Sequence, residues 1–228
     1  MSIVSSLKVT DSVSSRQAGI RIATALEILV VYGGILQYIW KWQFTHPSWW
    51  IPILAVIVLS HVIHRDTIRS VGLGWQDIRS SAQIALPCAA LVFIPAAVYG
   101  VWSRRLLPLP LNSPALISFL GYAVWSLFQQ YLAQSYFNNR LLAAVQDRNL
   151  SSVLLGLMFG AAHIPNVPLV MVTGLGGFAL AEVFARHRNI WPLALVHAVG
   201  GYLVGAVVPD ALLHHMRVGP GYFFYLLR

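Results

Sequence analysis

The chain has 228 residues, of which 57% are hydrophobic and only 10% charged, with a formal net charge of +8 and a mean hydropathy of +0.69. Soluble domains carry charge on roughly a quarter of their residues, so this composition excludes one and describes an integral membrane protein with the lipid bilayer as its first partner. The basic excess does not describe a nucleic-acid binder either, because Lys and Arg are scattered in pairs between apolar runs instead of lining one stripe.

At roughly 20 apolar residues per crossing, the length predicts an all-α polytopic bundle of about seven spans, or eight if the tail also crosses. Residues 1–16 are polar and Ser-rich and read as a cytoplasmic amino-terminal arm. The apolar stretch that follows carries Arg21 and Glu27 with no small-residue cleavage site behind it, which argues against a removable signal peptide. A membrane domain over 17–209 comes next, with helices predicted near 18–41, 47–63, 82–102, 115–142, 150–163, 167–186 and 190–208. Between the second and third, the mixed charge and aromatics of residues 65–80 suit an interfacial segment. The fifth helix is short, and Pro165 predicts its end or a kink just past His163. Residues 210–228, with Pro220 and the cluster Tyr222-Phe223-Phe224-Tyr225, read as an interfacial tail. Seven spans would gather Lys8, Arg16, Arg65, Arg69, Arg79, Arg140, Arg148, Arg186 and Arg188 on one side, which the positive-inside rule makes cytoplasmic. Lys41, Arg104, Arg105, Arg217 and Arg228 fall on the other.

Three of these apolar helices carry polar residues. The fourth has Gln129 and Gln130, with Gln134 four residues beyond Gln130 and therefore on the same face. The fifth has Phe159 and His163 at the same spacing, so the ring can pack beside the imidazole. The seventh has His197, followed four residues later by Gly201. Imidazoles at membrane depth must find partners, and they line cavities and reaction sites as readily as they fill structural roles. A glutamine pair in a membrane helix reads most simply as interhelical hydrogen-bonding glue.

Taken together, the run Gly156-Leu-Met-Phe159-Gly-Ala-Ala-His163-Ile-Pro-Asn166 and, about thirty residues on, Trp191-Pro192-Leu-Ala-Leu-Val-His197 resemble the second and third motifs of the CPBP intramembrane proteases. These are the type II CAAX prenyl endopeptidases and their bacterial Abi relatives in bacteriocin processing and self-immunity. The resemblance covers a protease-like core at 115–209. It implies an intramembrane endopeptidase of the bacterial cytoplasmic membrane, acting on a membrane-bound or lipidated peptide without a cofactor or metal. By position, Gln129 and His163 would hold the attacking water and His197 would face the oxyanion.

Two departures matter. The family's first motif has two glutamates and, after three residues, an arginine, whereas this chain has Gln129, Gln130 and Gln134. The family's third motif has asparagine four residues after its histidine, where this chain has Gly201. A glutamine amide orients water but has no basic form, so His163 would be the only base. Glu182 would restore a carboxylate if it faced either histidine, yet it lies one turn before Arg186 and reads more simply as that residue's i,i+4 partner. Arg140 is either a stand-in for the motif arginine or a positive helix terminus. Glu27 has no assignment. Asp66, Asp77, Asp147 and Asp210 read as solvated loop acids, and His61 and His64 as interfacial residues. Two histidines without His-Glu-x-x-His do not specify a zinc site. An altered endopeptidase and a pseudoenzyme that binds a membrane peptide both follow from the resemblance; a small transporter would require inverted repeats, which the sequence does not display.

Overall fold

The computed structural model describes residues 3–106 and 113–226. Of the expected arm and tail, Met1, Ser2, Leu227 and Arg228 lie outside the described residues. Among those described the fold is all helical. Helix α1, Ile3–Gln37, continues through a π-helical turn at Tyr38–Trp42 and a last turn at Gln43–Thr45. Helix α2 is Trp50–Ile63, α3 is Ile78–Trp102 and α4 is Ser113–Gln130. A π-helical segment, Tyr131–Asn138, joins α4 to α5, Asn139–Val145. Then come α6, Arg148–Ala161, α7, Val167–Arg186, and α8, Trp191–Val207. Short helices α9, Asp210–Leu213, and α10, Pro220–Leu226, close the chain.

Every apolar run singled out in the sequence is helical, but seven crossings are not established. Among the described residues, three helices are long and apolar enough to cross a bilayer: Arg16–Thr45, Ile78–Trp102 and Val167–Arg186. A fourth crossing, or a re-entrant loop, is available where Trp191–Val207 and Asp210–Met216 meet at 119°. With 14 residues each, α2 and α6 reach only about 21 Å at the α-helical rise, short of a hydrocarbon core of about 30 Å. Helix α1 runs unbroken from Ile3 into the candidate span that begins at Arg16.

Polarity is arranged for lipid. Leu29, Val62, Leu91, Ile117 and Leu175 point outward, while Ser81, Ser126, Gln130, Gln134, Asn138, Ser151 and Ser152 are buried. Of these, Ser81, Gln130, Gln134, Asn138 and Ser151 hydrogen-bond inside the bundle, as polar groups that cannot meet water do. The apolar core runs through Ile28, Val31, Ile57, Tyr136, Phe137 and Leu155, where α1, α2, the π segment and α6 meet.

Helices α6 and α7 form a closely packed hairpin. A Cβ at Gly156 would lie 2.7 Å from the Gly174 carbonyl oxygen, and one at Gly160 would lie 3.0 Å from that of Val170. Small residues four apart let the two backbones approach in this way. The hairpin turn follows from capping: the Asn166 side chain accepts from Leu169 N at 3.4 Å, and Pro168 occupies the first turn of α7. The Ile164–Pro165 peptide bond is cis.

Of residues 65–80, expected to be interfacial, 65–77 form an irregular loop docked on the α7–α8 connection, and the rest begin α3. Gly72 O accepts from Ile190 N at 3.0 Å, the Asn189 amide donates to Gly74 O and Gln76 O at 2.7 and 2.8 Å, and Trp191 Nε1 donates to Leu73 O at 3.1 Å. Gly72 is required there, with a φ of +73° and the Phe184 ring 2.6 Å from where a Cβ would stand. Trp75 stacks on Trp191 and remains exposed.

Candidate functional site

The end of α6 sets His163. Its last turn tightens, with His163 N bonding Gly160 O at 2.9 Å, so the Phe159 carbonyl loses its usual i+4 partner. The imidazole takes that place: His163 Nδ1 lies 2.7 Å from Phe159 O. A carbonyl only accepts, so Nδ1 carries the proton and the lone pair is on Nε2. Thr173 on α7 agrees with this assignment. Its hydroxyl donates to Leu169 O at 2.7 Å, leaving Oγ1 to accept from His163 Nδ1 at 3.2 Å.

His197 is brought to the same place by Phe159. The phenyl ring sits edge-on to His163 at 5.1 Å and to His197 at 5.8 Å, and its far side rests on Gly177. On the other side of His197, Gln130 Nε2 donates to Nδ1 at 3.0 Å. Gln130 Oε1 in turn accepts from Gln134 Nε2 at 3.2 Å. Gln134 Oε1 accepts from Asn138 Nδ2 at 3.1 Å, and that same amide nitrogen donates to Ala181 O at 3.2 Å. Asn138 Oδ1 accepts from the Ser151 hydroxyl at 2.9 Å. Gln130, Gln134, Asn138 and Ser151 are all buried. Gln130 thus ties α4 to His197 on α8, whereas Gln134 bonds only residues of its own helical run.

Other residues singled out in the sequence are placed differently. Gln129 is bonded to neither histidine; its Oε1 is buried and has no hydrogen-bond partner among the described residues. Gly201 leaves its space to the Tyr122 phenol: a Cβ there would lie 1.9 Å from the Tyr122 oxygen and 2.6 Å from Cζ. Tyr122 went unremarked in the sequence, where only the bare glycine could have pointed to it. Glu182 does not reach the histidines. It pairs with Arg186 at 2.7 Å, the i,i+4 partner its spacing suggested, and faces Arg148 at 3.6 Å. Among the described residues no group of three His, Cys, Asp or Glu is placed to hold a metal ion.

A second polar cluster escaped the sequence reading. Glu27 accepts from Ser60, from Tyr136 at 2.9 Å and from Arg140 Nε at 3.3 Å, and meets His64 at 3.0 Å. Arg140 also bonds Asp66 at 2.6 Å, and His61 meets the same carboxylate oxygen at 2.7 Å. Arg140 is 2% exposed and lies over the Tyr136 ring. Arg140 is thus a buried partner of two acids, and Asp66 is not a solvated loop acid. Burial raises the Asp66 carboxyl, but the hydrogen bonds and charges of Arg140 and His61 outweigh it and hold the group below its ordinary range.

An apolar groove of about 420 Å³ between α3 and α8, lined by Leu86, Phe93, Leu195, Val199 and Leu203 among others, lies apart from these polar groups.

Residues 111–203 match the family model for Rce1-like type II CAAX prenyl endopeptidases. The matched segment contains Gln129, Gln130, Phe159, His163 and His197, and the match supports the resemblance to the CPBP proteases. No curated protein and no solved structure matches the chain.

Proposed function

We propose that this chain, which carries an Rce1-like segment over residues 111–203, is a CAAX-type intramembrane protease-like protein that presents the carbonyl of a membrane-bound or lipidated peptide to His163 and His197. The observation that carries this reading is the pair of imidazoles packed on one phenyl ring, with His163 Nδ1 committed to the Phe159 carbonyl. His163 Nε2 is left with a lone pair, the form a general base needs. In hydrolysis, Nε2 takes a proton from water as the water oxygen bonds the carbonyl carbon, and His197 stabilises the resulting oxyanion. His163 then returns the proton to the leaving amine as the C–N bond breaks. The unpartnered Gln129 Oε1 is suited to accept the water's second hydrogen. This reading carries the bacterial cytoplasmic membrane that the resemblance implies, and an amino terminus inside is favoured by the basic residues that seven spans would gather on one side.

Binding without efficient cleavage is favoured by a specific observation: Glu182 is held by Arg186 and Arg148, and Glu27 and Asp66 pair in the second cluster. General-base catalysis contributes about 10²–10⁴-fold and one oxyanion donor about 10²–10³-fold, so a site without a carboxylate keeps its shape and loses most of its rate. The two readings separate on a lipidated peptide offered to the wild type, His163→Ala and Gln129→Glu in lipid nanodiscs. Cleavage by the wild type that disappears in His163→Ala establishes a peptidase. Retention of the peptide by the wild type, with cleavage appearing only in Gln129→Glu, establishes a binding protein. If the wild type neither retains nor cuts any lipidated or membrane-anchored peptide, the proposal fails.

A further inference from the structure

We infer that Gln130, Gln134 and Asn138 form a one-way amide ladder that holds His197 in its Nε2–H tautomer, making His197 a fixed hydrogen-bond donor at the site. The direction of the ladder follows from a group that cannot be turned around. Ala181 O is a backbone carbonyl and only accepts, so the Asn138 nitrogen must face it. Rotating the Asn138 amide would set two oxygens against each other. With that nitrogen fixed, its second hydrogen goes to Gln134 Oε1 at 3.1 Å, and Gln134 must present nitrogen to Gln130 Oε1 at 3.2 Å. Gln130 then has only nitrogen to offer His197, and Nδ1, 3.0 Å away, must accept. The proton of neutral His197 is therefore on Nε2. Ser151, donating to Asn138 Oδ1, runs in the same sense without being needed to set it.

Leaving a donor and an acceptor unmatched in a dry interior is costly enough to bias the two tautomers about 5- to 150-fold. The lock is specific to amides at these positions. A carboxylate at 130 offers no hydrogen, so Nδ1 would have to donate and Nε2 would hold the lone pair. His163 is fixed oppositely, with Nδ1–H on the Phe159 carbonyl. The pair thus offers one acceptor and one donor, which suits a neutral amide carbonyl with its water and suits a free carboxylate, with no donor for His163, less well. Gln130, Gln134 and Asn138 act through His197 and are positioning residues.

The significance for substrate rests on the reading of His163 and His197 as the site, but the tautomer can be observed without any substrate. The full chain, labelled with ¹⁵N-histidine in nanodiscs, is measured by long-range ¹H–¹⁵N correlation at neutral pH, with His197→Gln assigning the signal. The wild type should show a pyridine-like Nδ1 and pyrrole-like Nε2 at His197. Gln130→Glu should make Nδ1 pyrrole-like, Asn138→Leu should mix the two forms, and Ser151→Ala should leave them unchanged because Ala181 O still orients Asn138. The opposite signature of His163 serves as a fold control in each variant. A pyrrole-like Nδ1 at His197 in the wild type overturns the inference whatever the variants do. So does a well-folded Gln130→Glu with an unaltered His197. An intact tautomer lock in a protein that neither binds nor cuts peptide refutes the proposed function and leaves the ladder standing.

Discussion

Glycine at 201 shows what the lack of one side chain means physically. The Tyr122 phenol fills the space in which a side chain at 201 would stand. Gly201→Asn therefore inserts a side chain into an occupied volume. Overpacking of this kind costs about 1–3 kcal/mol. The melting temperature of detergent-solubilised Gly201→Asn should fall, and Tyr122→Ala in the same chain should recover most of the loss, since the two changes share one space. Additive losses would mean that the phenol is not the obstacle. The histidines were legible in the sequence from their motif contexts, and Gln130 from its register in the first motif. Tyr122 was not, because Gly201 has no side chain to announce a neighbour, and the partner lies on another helix.

Among the elements, the α6–α7 hairpin does most to assemble the site. It holds Phe159 against Gly177, and Phe159 holds both imidazoles. Gly156→Leu would drive a side chain into the Gly174 carbonyl and the Phe178 backbone, which have nowhere to move without parting the helices. Thermal stability and peptide retention should fall together in this variant. Gly176→Ala on the same hairpin meets nothing within 4 Å, and should be neutral or slightly stabilising through helix propensity. Equal damage from both variants would show that close approach is not what the glycines provide. From α2 onward the helices were readable to within a few residues, because apolar runs bounded by Pro165, Asn166 and Asp147 carry their own stop and cap signals. Helix α1, by contrast, begins at Ile3, well before the predicted 18. The π-helical segment at Tyr131–Asn138 was not. Gln130, Gln134 and Asn138 keep a four-residue spacing, and nothing in that spacing distinguishes an i→i+5 turn from an α-helical one.

Across the whole molecule, the two halves of the chain are joined by charge as well as by packing. In lipid, apolar surfaces have little reason to prefer each other over acyl chains, so buried polar contacts carry more of the specificity. Arg140 supplies such contacts, bonding Glu27 on α1, Ser60 on α2 and Asp66 in the following loop. The sequence concealed this network because its members are 74 to 113 residues apart in the case of the two acids, and one helix's periodicity does not name its partner. Asp66 makes the network testable by pH. Its carboxyl is held below its ordinary value of 3.8 in the folded protein, so the folded state binds that proton less readily than the unfolded state does. The stability it contributes is accordingly complete above the ordinary carboxylate range and is lost as pH falls through that range toward the lower folded value. Asp66→Asn should melt below the wild type at neutral pH, and the gap should narrow progressively below about pH 4, where the wild-type carboxylate also becomes neutral. Melting curves from pH 7 to about pH 3 in one detergent measure that gap. A gap that stays constant would place the value of Asp66 in its shape and hydrogen bonds; a gap that closes assigns it to the charge that Arg140 requires.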